Sequence, residues 1–237
     1  MSALGSLPSD DEKVAAVRSM FDTIAPRYDL VNRLMTFGLD VWWRKRTVDA
    51  LGLAERSRVA DVGCGTGDLC RELQHRGYRP IGVDLSMGML RRARTTAPLL
   101  QADGTTLPVP DATLDGVTSG FALRNVADLD ALVAELARVL RPGGRIALLE
   151  VDTPTSRWLG AGHQLWFRHG VPLLGRALSD GAAYRYLPQS VAYLPPAWKL
   201  RAMVKDAGFS AVNHRSLSGG VVQLITATRR GRPGGTR

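Results

Sequence analysis

Cysteine is nearly absent. Cys64 and Cys70 are the only two in 237 residues, and their spacing suits neither a disulfide scaffold nor a zinc site. No apolar run is long enough to span a bilayer, and the N-terminus lacks the basic-then-apolar pattern of a secretion signal, so a cytoplasmic protein is expected. There are no internal repeats. Acids are scarce in one region: residues 151–237 hold 12 Lys/Arg against Asp152, Asp180 and Asp206, and so carry the whole net charge of +9. Such a basic region serves nucleic acid, an anionic membrane or plain solubility. Hydrophobic content of 45% and charged content of 22% are those of a globular chain of ordinary size.

What is present is organised around Arg58-Val59-Ala60-Asp61-Val62-Gly63-Cys64-Gly65-Thr66-Gly67-Asp68. A β-branched run ends in an acid, three glycines alternate, and an acid opens an apolar-periodic segment: strand, tight turn, helix start. Alternate glycines let backbone amides approach a ligand, and the helix N-terminus behind them favours negative charge. The pattern differs from the Gly-x-Gly-x-x-Gly of dinucleotide folds and from the Lys-Ser/Thr phosphate loop. A second strand, Pro80–Val83, ends in Asp84, where an acid can take a ribose hydroxyl pair. Loop and acid together fit an adenosine without pyrophosphate. S-adenosyl-L-methionine is the leading candidate, with the glycine amides at its methionine end and Asp84 at its ribose.

Taken in order, residues 13–51 form apolar helical segments around Pro26, read either as a cap on the domain edge or, preferably, as a lid over a ligand pocket. Ser86 is a good N-cap for a helix carrying Met89, Leu90 and Ala93. Leu99–Asp103 reads as a third strand, its final Asp103 either an acceptor for the adenine amino group or a solvated loop acid. Gly116–Ser119 is strand four, Leu129–Leu140 an amphipathic helix stopped by Pro142-Gly143-Gly144, and Ile146–Glu150 strand five. This alternation gives an α/β fold with a mostly parallel, doubly wound sheet and ligands at the strands' carboxyl ends. Residues 153–195 break the rhythm as an inserted helical cover. Pro195-Pro196 opens a last helix, and Val221–Ala227 pairs with residues near Val212. One domain is expected over 13–228, with 1–12 and 229–237 as flexible tails.

The chain resembles the ubiquinone/menaquinone biosynthesis C-methyltransferases. The resemblance runs from about Val17 to Gly220. It rests on Phe21-Asp22-x-Ile24-Ala25-x-x-Tyr28-Asp29-x-Val31-Asn32, on Trp43, on Phe121-Ala122-Leu123-Arg124-Asn125-Val126, on Arg138–Arg145 with Glu150, and on Tyr184-x-Tyr186-Leu187-x-x-Ser190. It implies the class I S-adenosylmethionine-dependent methyltransferase (Rossmann-like) fold and methylation of a ring carbon of a polyprenylated quinol, with demethylmenaquinol preferred. By this pattern Thr66, Asp84, Asp103 and Gly104 fall where the cofactor is held, beside Asp61, Gly63, Gly65 and Gly67 of the loop. The chain departs from the family at Asp40 (usually His), Gly120 (Ser), Ala122 (Gly) and Asp152 (Ser), and its C-terminal end lacks the family's His and Gly-Tyr.

Ring-carbon methylation requires phenolate character on a neighbouring hydroxyl. Arg124 would hold that phenolate or orient a water that takes its proton, unless it bridges an acid of the same edge. Asn125 and Tyr28 would fix the ring hydroxyls. His163 and His169 are candidate bases or plain surface residues, and no metal is implied. A methyltransferase acting on another prenylated or aromatic small molecule is one alternative. A nucleic-acid methyltransferase is another, but strand four ends in Ser119-Gly120-Phe121-Ala122 rather than a Pro-Pro-aromatic turn, and no nucleic-acid partner is expected. A non-catalytic module that kept the fold is a third. A lipid substrate makes a peripheral site on the inner face of the plasma membrane an expectation, with residues 153–187, rich in Trp, Phe, Leu and Arg, as the interfacial element. Oligomeric state is open.

Overall fold

A computed structural model describes residues 10–152, 154, 170 and 193–231. Almost all of the inserted cover, with His163, His169 and the Tyr184–Ser190 motif, lies outside the described residues.

Three helices lead: α1 (Asp10–Ile24), α2 (Tyr28–Met35) and α3 (Leu39–Leu51). Then follow β1 (Arg58–Val62), α4 (Asp68–His75), β2 (Arg79–Asp84), α5 (Met87–Leu90), β3 (Leu99–Gln101) and β4 (Leu114–Gly120). A 3-10 turn at Leu123–Asn125 leads to α6 (Leu129–Val139) and β5 (Leu140–Val151), and after the cover come α7 (Ala197–Asp206), β6 (Phe209–Leu217) and β7 (Val222–Arg229). The sheet order is β3-β2-β1-β4-β5-β7-β6. Strands β3 to β5 run parallel, while β7 pairs antiparallel with both β5 and β6. The order reverses between β1 and β4, so the crevice outside their carboxyl ends is where such a sheet binds ligands.

Strand periodicity divides the core. Ile146 and Leu148 face a cluster with Leu132, Leu136 and Val139 of α6 and Leu200 and Val204 of α7. Ala147 and Leu149 face the other side, with Trp43, Val48 and Leu51 of α3 and Leu69 and Leu73 of α4. Both faces are covered, which is why the central strands are apolar on both sides.

Several boundaries differ from the sequence expectations. Residues 10–12, assigned to a loose lead, belong to α1. The helix after Ser86 stops at Leu90, because Arg94 N–H donates to the Thr66 carbonyl (3.0 Å) and draws the chain back to the glycine loop. Strand β3 ends at Gln101, since Asp103 Oδ1 accepts from the Thr105 N–H (2.8 Å) in an Asx turn. Pro142-Gly143-Gly144 does not stop α6. That helix passes directly into β5, and the three residues lie where Leu114↔Leu140 gives way to Gly116↔Arg145 in the β4 register. Arg229 and Arg230, read as tail, instead clasp the closing strands: Arg229 donates to the Ala137 and Gly208 carbonyls (2.8 and 2.9 Å), and Arg230 to those of Phe209 and Lys205 (2.8 and 2.7 Å).

The α2–α3 junction is a Schellman turn, with Gly38 N–H bonded to the Arg33 carbonyl (2.9 Å) and Phe37 N–H to that of Leu34 (3.3 Å). Glycine customarily takes the first left-handed position. Here Phe37 takes it, at φ 52°, ahead of Gly38. The left-handed conformation costs a residue with a Cβ about 1–2 kcal/mol.

Candidate active site

A cavity of about 340 Å³ opens at the sheet's switch point, within the range of ligand pockets. Gly63, Gly65, Asp84, Asp103 and Gly104 border it, as do Tyr28 and Asn125. Val14, Val17 and Phe21 of α1 close one side. Of the segment read as a lid, then, α1 and the start of α2 line the cavity, whereas α3 packs into the core.

The glycine loop gains its shape from three left-handed glycines, Gly63, Gly65 and Gly67, at φ 72°, 54° and 83°. A Cβ on Gly63 would lie 2.4 Å from that of Ala122, while one on Gly65 would meet nothing within 4 Å. The loop was expected to aim its glycine amides at the ligand, and it does not. Gly63 N–H bonds the Val83 carbonyl (2.8 Å), Gly67 N–H that of Cys64 (2.9 Å), and Gly65 N–H the Asp84 carboxylate (2.7 Å). The amides close the loop on itself and tie it to β2. What Gly65 presents to the cavity is a surface without side chains.

Asp84 Oδ1 also accepts the Ser86 N–H (2.8 Å). A carboxylate has about four acceptor positions, so capacity remains for a diol. Burial pushes the Asp84 pKa above the ordinary carboxylate range, helped by the nearby charge of Asp22 and against the lowering effect of the Ser86, Gly65 and Leu85 amides. Asp103 lies just past β3, and its Oδ1 takes both the N–H and the hydroxyl of Thr105 (2.8 Å each).

Three of the expected cofactor residues do not border the cavity: Asp61, Thr66 and Gly67 stand behind it. Asp61 is fully buried beneath the loop, accepting from Thr118 Oγ1 (3.0 Å) and Cys70 Sγ (3.5 Å). Burial raises its pKa to about 7, with the Thr118 and Cys70 bonds opposing. The Thr66 hydroxyl donates to Asp29 Oδ1. That bond was not foreseen, and it has a counterpart. Asp22 Oδ1 accepts from Ser86 Oγ (2.5 Å) and from Gly88 N–H (2.7 Å). A Cβ on Gly88 would fall 2.8 Å from the Asp22 Cα, so glycine is needed for that approach. The two acids of the Phe-Asp…Tyr-Asp stretch therefore pin α1 and α2 to the two turns, after β1 and β2, that shape the cavity floor. Their seven-residue spacing was the available signal.

Tyr28 bonds Asn32, and burial raises its pKa, offset in part by the charges of Arg124 and Arg44. It stays a phenol. Arg124 does not border the cavity. It is buried and ion-paired with Glu150, itself wholly inaccessible, whose other oxygen accepts the Arg124 N–H (3.2 Å). The bridge left open by the sequence is thus made. Phe121 lies between this arginine and Arg44, each guanidinium 5.9 Å from its ring centre, and it holds φ 61°, a genuine outlier for an aromatic. Asn125 donates weakly to the Phe121 carbonyl (3.4 Å), and its Oδ1 is buried with no hydrogen-bond partner among the described residues. An orphaned amide beside a cavity asks for a polar ligand.

The sequence profile of the ubiE/COQ5 methyltransferase family matches residues 8–229. The chain belongs to this family. Among curated relatives, the ubiquinone/menaquinone biosynthesis C-methyltransferase UbiE of Syntrophotalea carbinolica is 42% identical over 221 residues, spanning 90% of this chain and 93% of the relative. The demethylmenaquinone methyltransferase of Thermus thermophilus is 41% identical over 220 residues, 89% of this chain and all of the relative (100%). Solved structures agree on the fold. A possible histamine N-methyltransferase from Thermotoga maritima, S-adenosylmethionine-dependent, superimposes with TM-score 0.64 at 19% identity, over 90% of this chain and 100% of that one. A putative methyltransferase bound to its Trm112 activator from Haloferax volcanii gives 0.66 at 19%, over 89% and 98%. As a member of the family the chain is an S-adenosylmethionine-dependent C-methyltransferase of class I fold. Its residues fit that cofactor: a side-chain-free floor at Gly65, a carboxylate with spare acceptor positions at Asp84, and a cavity of ligand size. Among the described residues no helix is long and apolar enough to cross a membrane.

Proposed function

We propose that the protein methylates a ring carbon of a polyprenylated quinol, demethylmenaquinol in the first instance. The observation that supports this most is the identity of about two residues in five with quinone-pathway methyltransferases across nine-tenths of the chain. The cavity supports it independently. The Gly65–Asp84 border suits an adenosine, and Tyr28 with the orphaned Asn125 amide suits the hydroxyls of an aromatic diol.

S-adenosylmethionine supplies an electrophilic methyl group on a sulfonium. Asp84 accepts from the ribose hydroxyls, and Asp103 offers an oxygen to the adenine amino group. Asp61, Thr66 and Gly67 act from behind, holding the loop in place. On the acceptor side Tyr28 donates from its phenol and the unpartnered Oδ1 of Asn125 accepts from a ring hydroxyl, fixing the ring so that one carbon faces the methyl group. Arg124, held by Glu150, positions the turn that carries Asn125, and its charge, which reaches Tyr28, favours phenolate character on the acceptor hydroxyl beside that phenol. The ring carbon would then take the methyl group as the methyl's bond to the sulfonium breaks, leaving neutral S-adenosylhomocysteine, and the ring hydrogen would depart as a proton. A lipid acceptor places the enzyme at the membrane's cytoplasmic surface.

The test is product analysis. Purified enzyme, S-adenosylmethionine and a short-chain 2-demethylnaphthoquinol kept reduced should yield a quinol one methylene heavier, the extra carbon on the ring. The oxidised quinone should not react, because its carbonyls withdraw electron density. Methylation of oxygen, or equal turnover of quinone and quinol, would refute the reading.

A further inference from the structure

Large apolar side chains are exposed at eight positions among the described residues, and six of these fall between residues 30 and 42: Leu30, Leu34, Phe37, Leu39, Val41 and Trp42. A concentration of this kind marks an interaction surface. Leu30 and Leu34 lie one turn apart on α2, both exposed, while Val31 beside them is buried. Phe37 forms the tip of the α2–α3 turn, 73% exposed and held left-handed, and Leu39 and Trp42 follow on the first turn of α3. Strain in a bulky residue at an exposed tip points to a role outside the fold.

Charge identifies the partner. Residues 27–46 contain Arg27, Arg33, Arg44, Lys45 and Arg46 against only Asp29 and Asp40. Both acids are engaged inward: Asp29 with Thr66, and buried Asp40 with Thr36 and Arg44. Arg46 sits over the Trp42 ring at 5.2 Å, an apolar face with a cation at its edge. Beside the corner runs a concavity of mixed charge, in which Asp68 and Glu72 pair with Arg44, Arg71 and Arg76 and Lys45 adds a further cation. An apolar tip with Lys45 and Arg46 at one edge and Trp42 at the border is complementary to a bilayer carrying anionic headgroups.

We infer that the α2–α3 corner is the membrane-docking surface, with Phe37 and its neighbours at the acyl boundary and Lys45 and Arg46 at the headgroups. The inference deepens the quinol reading, on which it rests for choosing a bilayer over a protein partner. Tyr28, the first residue of α2, borders the cavity, so the helix that anchors to lipid also carries an acceptor-site residue. An acceptor drawn from the bilayer would enter beside its own anchor.

The experiment is co-sedimentation of the full chain with vesicles of phosphatidylglycerol and phosphatidylcholine, compared with phosphatidylcholine alone, across salt. Wild type should bind the anionic vesicles, and salt should weaken it. Leu34→Ser with Phe37→Ser should lower partitioning about tenfold or more, and Lys45→Glu with Arg46→Glu should abolish the preference for anionic vesicles. Unchanged S-adenosylmethionine affinity by calorimetry shows that both variants fold. Wild-type indifference to anionic vesicles, or variants that bind as wild type does, overturns the inference. So does a wild-type dimer in solution that the serine variant splits, with no vesicle binding in either. Turnover of the water-soluble quinol is the separating measurement. Its absence in wild type refutes the quinol reading whatever the vesicles show, and its persistence in the variants alongside lost vesicle binding is the expected result.

Discussion

Asp61 offers the sharpest test of how the glycine loop is built. Its carboxyl is wholly inaccessible, and burial lifts its pKa from the ordinary 3.8 to about 7. In the unfolded chain it titrates at the ordinary value. Between roughly pH 4 and 7 the native state therefore holds a proton that the unfolded state has lost, so stability falls as pH rises through that window. Below the window both states are protonated; above it both are charged, and the penalty is constant. At about 1.36 kcal/mol per pH unit, the loss across the window is on the order of 4 kcal/mol. Asp61→Asn removes the titration and keeps an oxygen for the Thr118 hydroxyl. It carries a fixed offset, because its amide replaces an acceptor opposite Cys70. The offset does not depend on pH, so the observable is the difference between variant and wild type. Urea unfolding of the cofactor-free protein at half-unit steps from pH 4.5 to 8.5 should show the variant gaining about 3–4 kcal/mol relative to wild type, with most of the gain below pH 7. Parallel curves would mean that Asp61 ionises normally, and the reading of a neutral carboxyl beneath the loop would fail.

Asp84→Ala removes the acceptor for the ribose and frees the Gly65 amide; S-adenosylmethionine affinity should fall by about 1.5–3 kcal/mol, roughly 10- to 150-fold, by calorimetry on a folded variant. In wild type, affinity should decline with acidification from a higher pH than an exposed carboxylate would set, because the raised Asp84 pKa brings protonation earlier. Arg124→Ala strands Glu150 as a buried charge and should cost about 3–5 kcal/mol in chemical unfolding. Arg124→Met with Glu150→Leu should recover most of that stability but not turnover of the reduced quinol, and recovery of both would make the pair structural only. Gly63→Ala combines a forbidden contact with an unfavourable backbone angle and should destabilise by about 2–4 kcal/mol. Adding Ala122→Gly should restore the contact part alone, since φ 72° at Gly63 is unaffected.

How far the sequence carried the argument depends on the range of the interaction involved. β1 was legible to the residue, because a short β-branched run followed by alternate glycines allows little else, and Ser86 caps α5 as its side chain requires. The central alternation of strands and helices was legible for the same local reason. The ends of α5 and β3 were not. The end of α5 is set by a bond to a distant segment, the Thr66 carbonyl, and that of β3 by a side-chain bond within the Asp103–Thr105 turn, which strand periodicity does not report. The direction of the glycine amides was the larger error. Glycine spacing specifies a tight turn, but the turn's amides had acceptors nearby in β2, Val83 and Asp84, that only the parallel register brings alongside.

The candidate site divides in the same way. Asp84, at the end of β2, and Asp103, two residues past β3, could be placed because the fold fixes on which edge strands finish. Asn125 could be placed because it follows the end of β4 directly. For Arg124 the sequence left two readings open, the acceptor or an acid of the same edge, since its partner Glu150 belongs to a strand 26 residues on. Side-chain bonds between remote elements leave no periodicity in a sequence. They leave only unexplained polar residues in otherwise apolar stretches. Asp22, Asp29 and Asp40 are such residues, set among the helical apolar positions of 13–51. Each is engaged in the structure: Asp22 with the turn after β2, Asp29 with the glycine loop, and Asp40 with Thr36 and Arg44. In a segment this apolar, each acid therefore reports a contact. With Asp40 holding Arg33 and Arg44, it is Lys45 and Arg46 that give the exposed apolar corner a positive border.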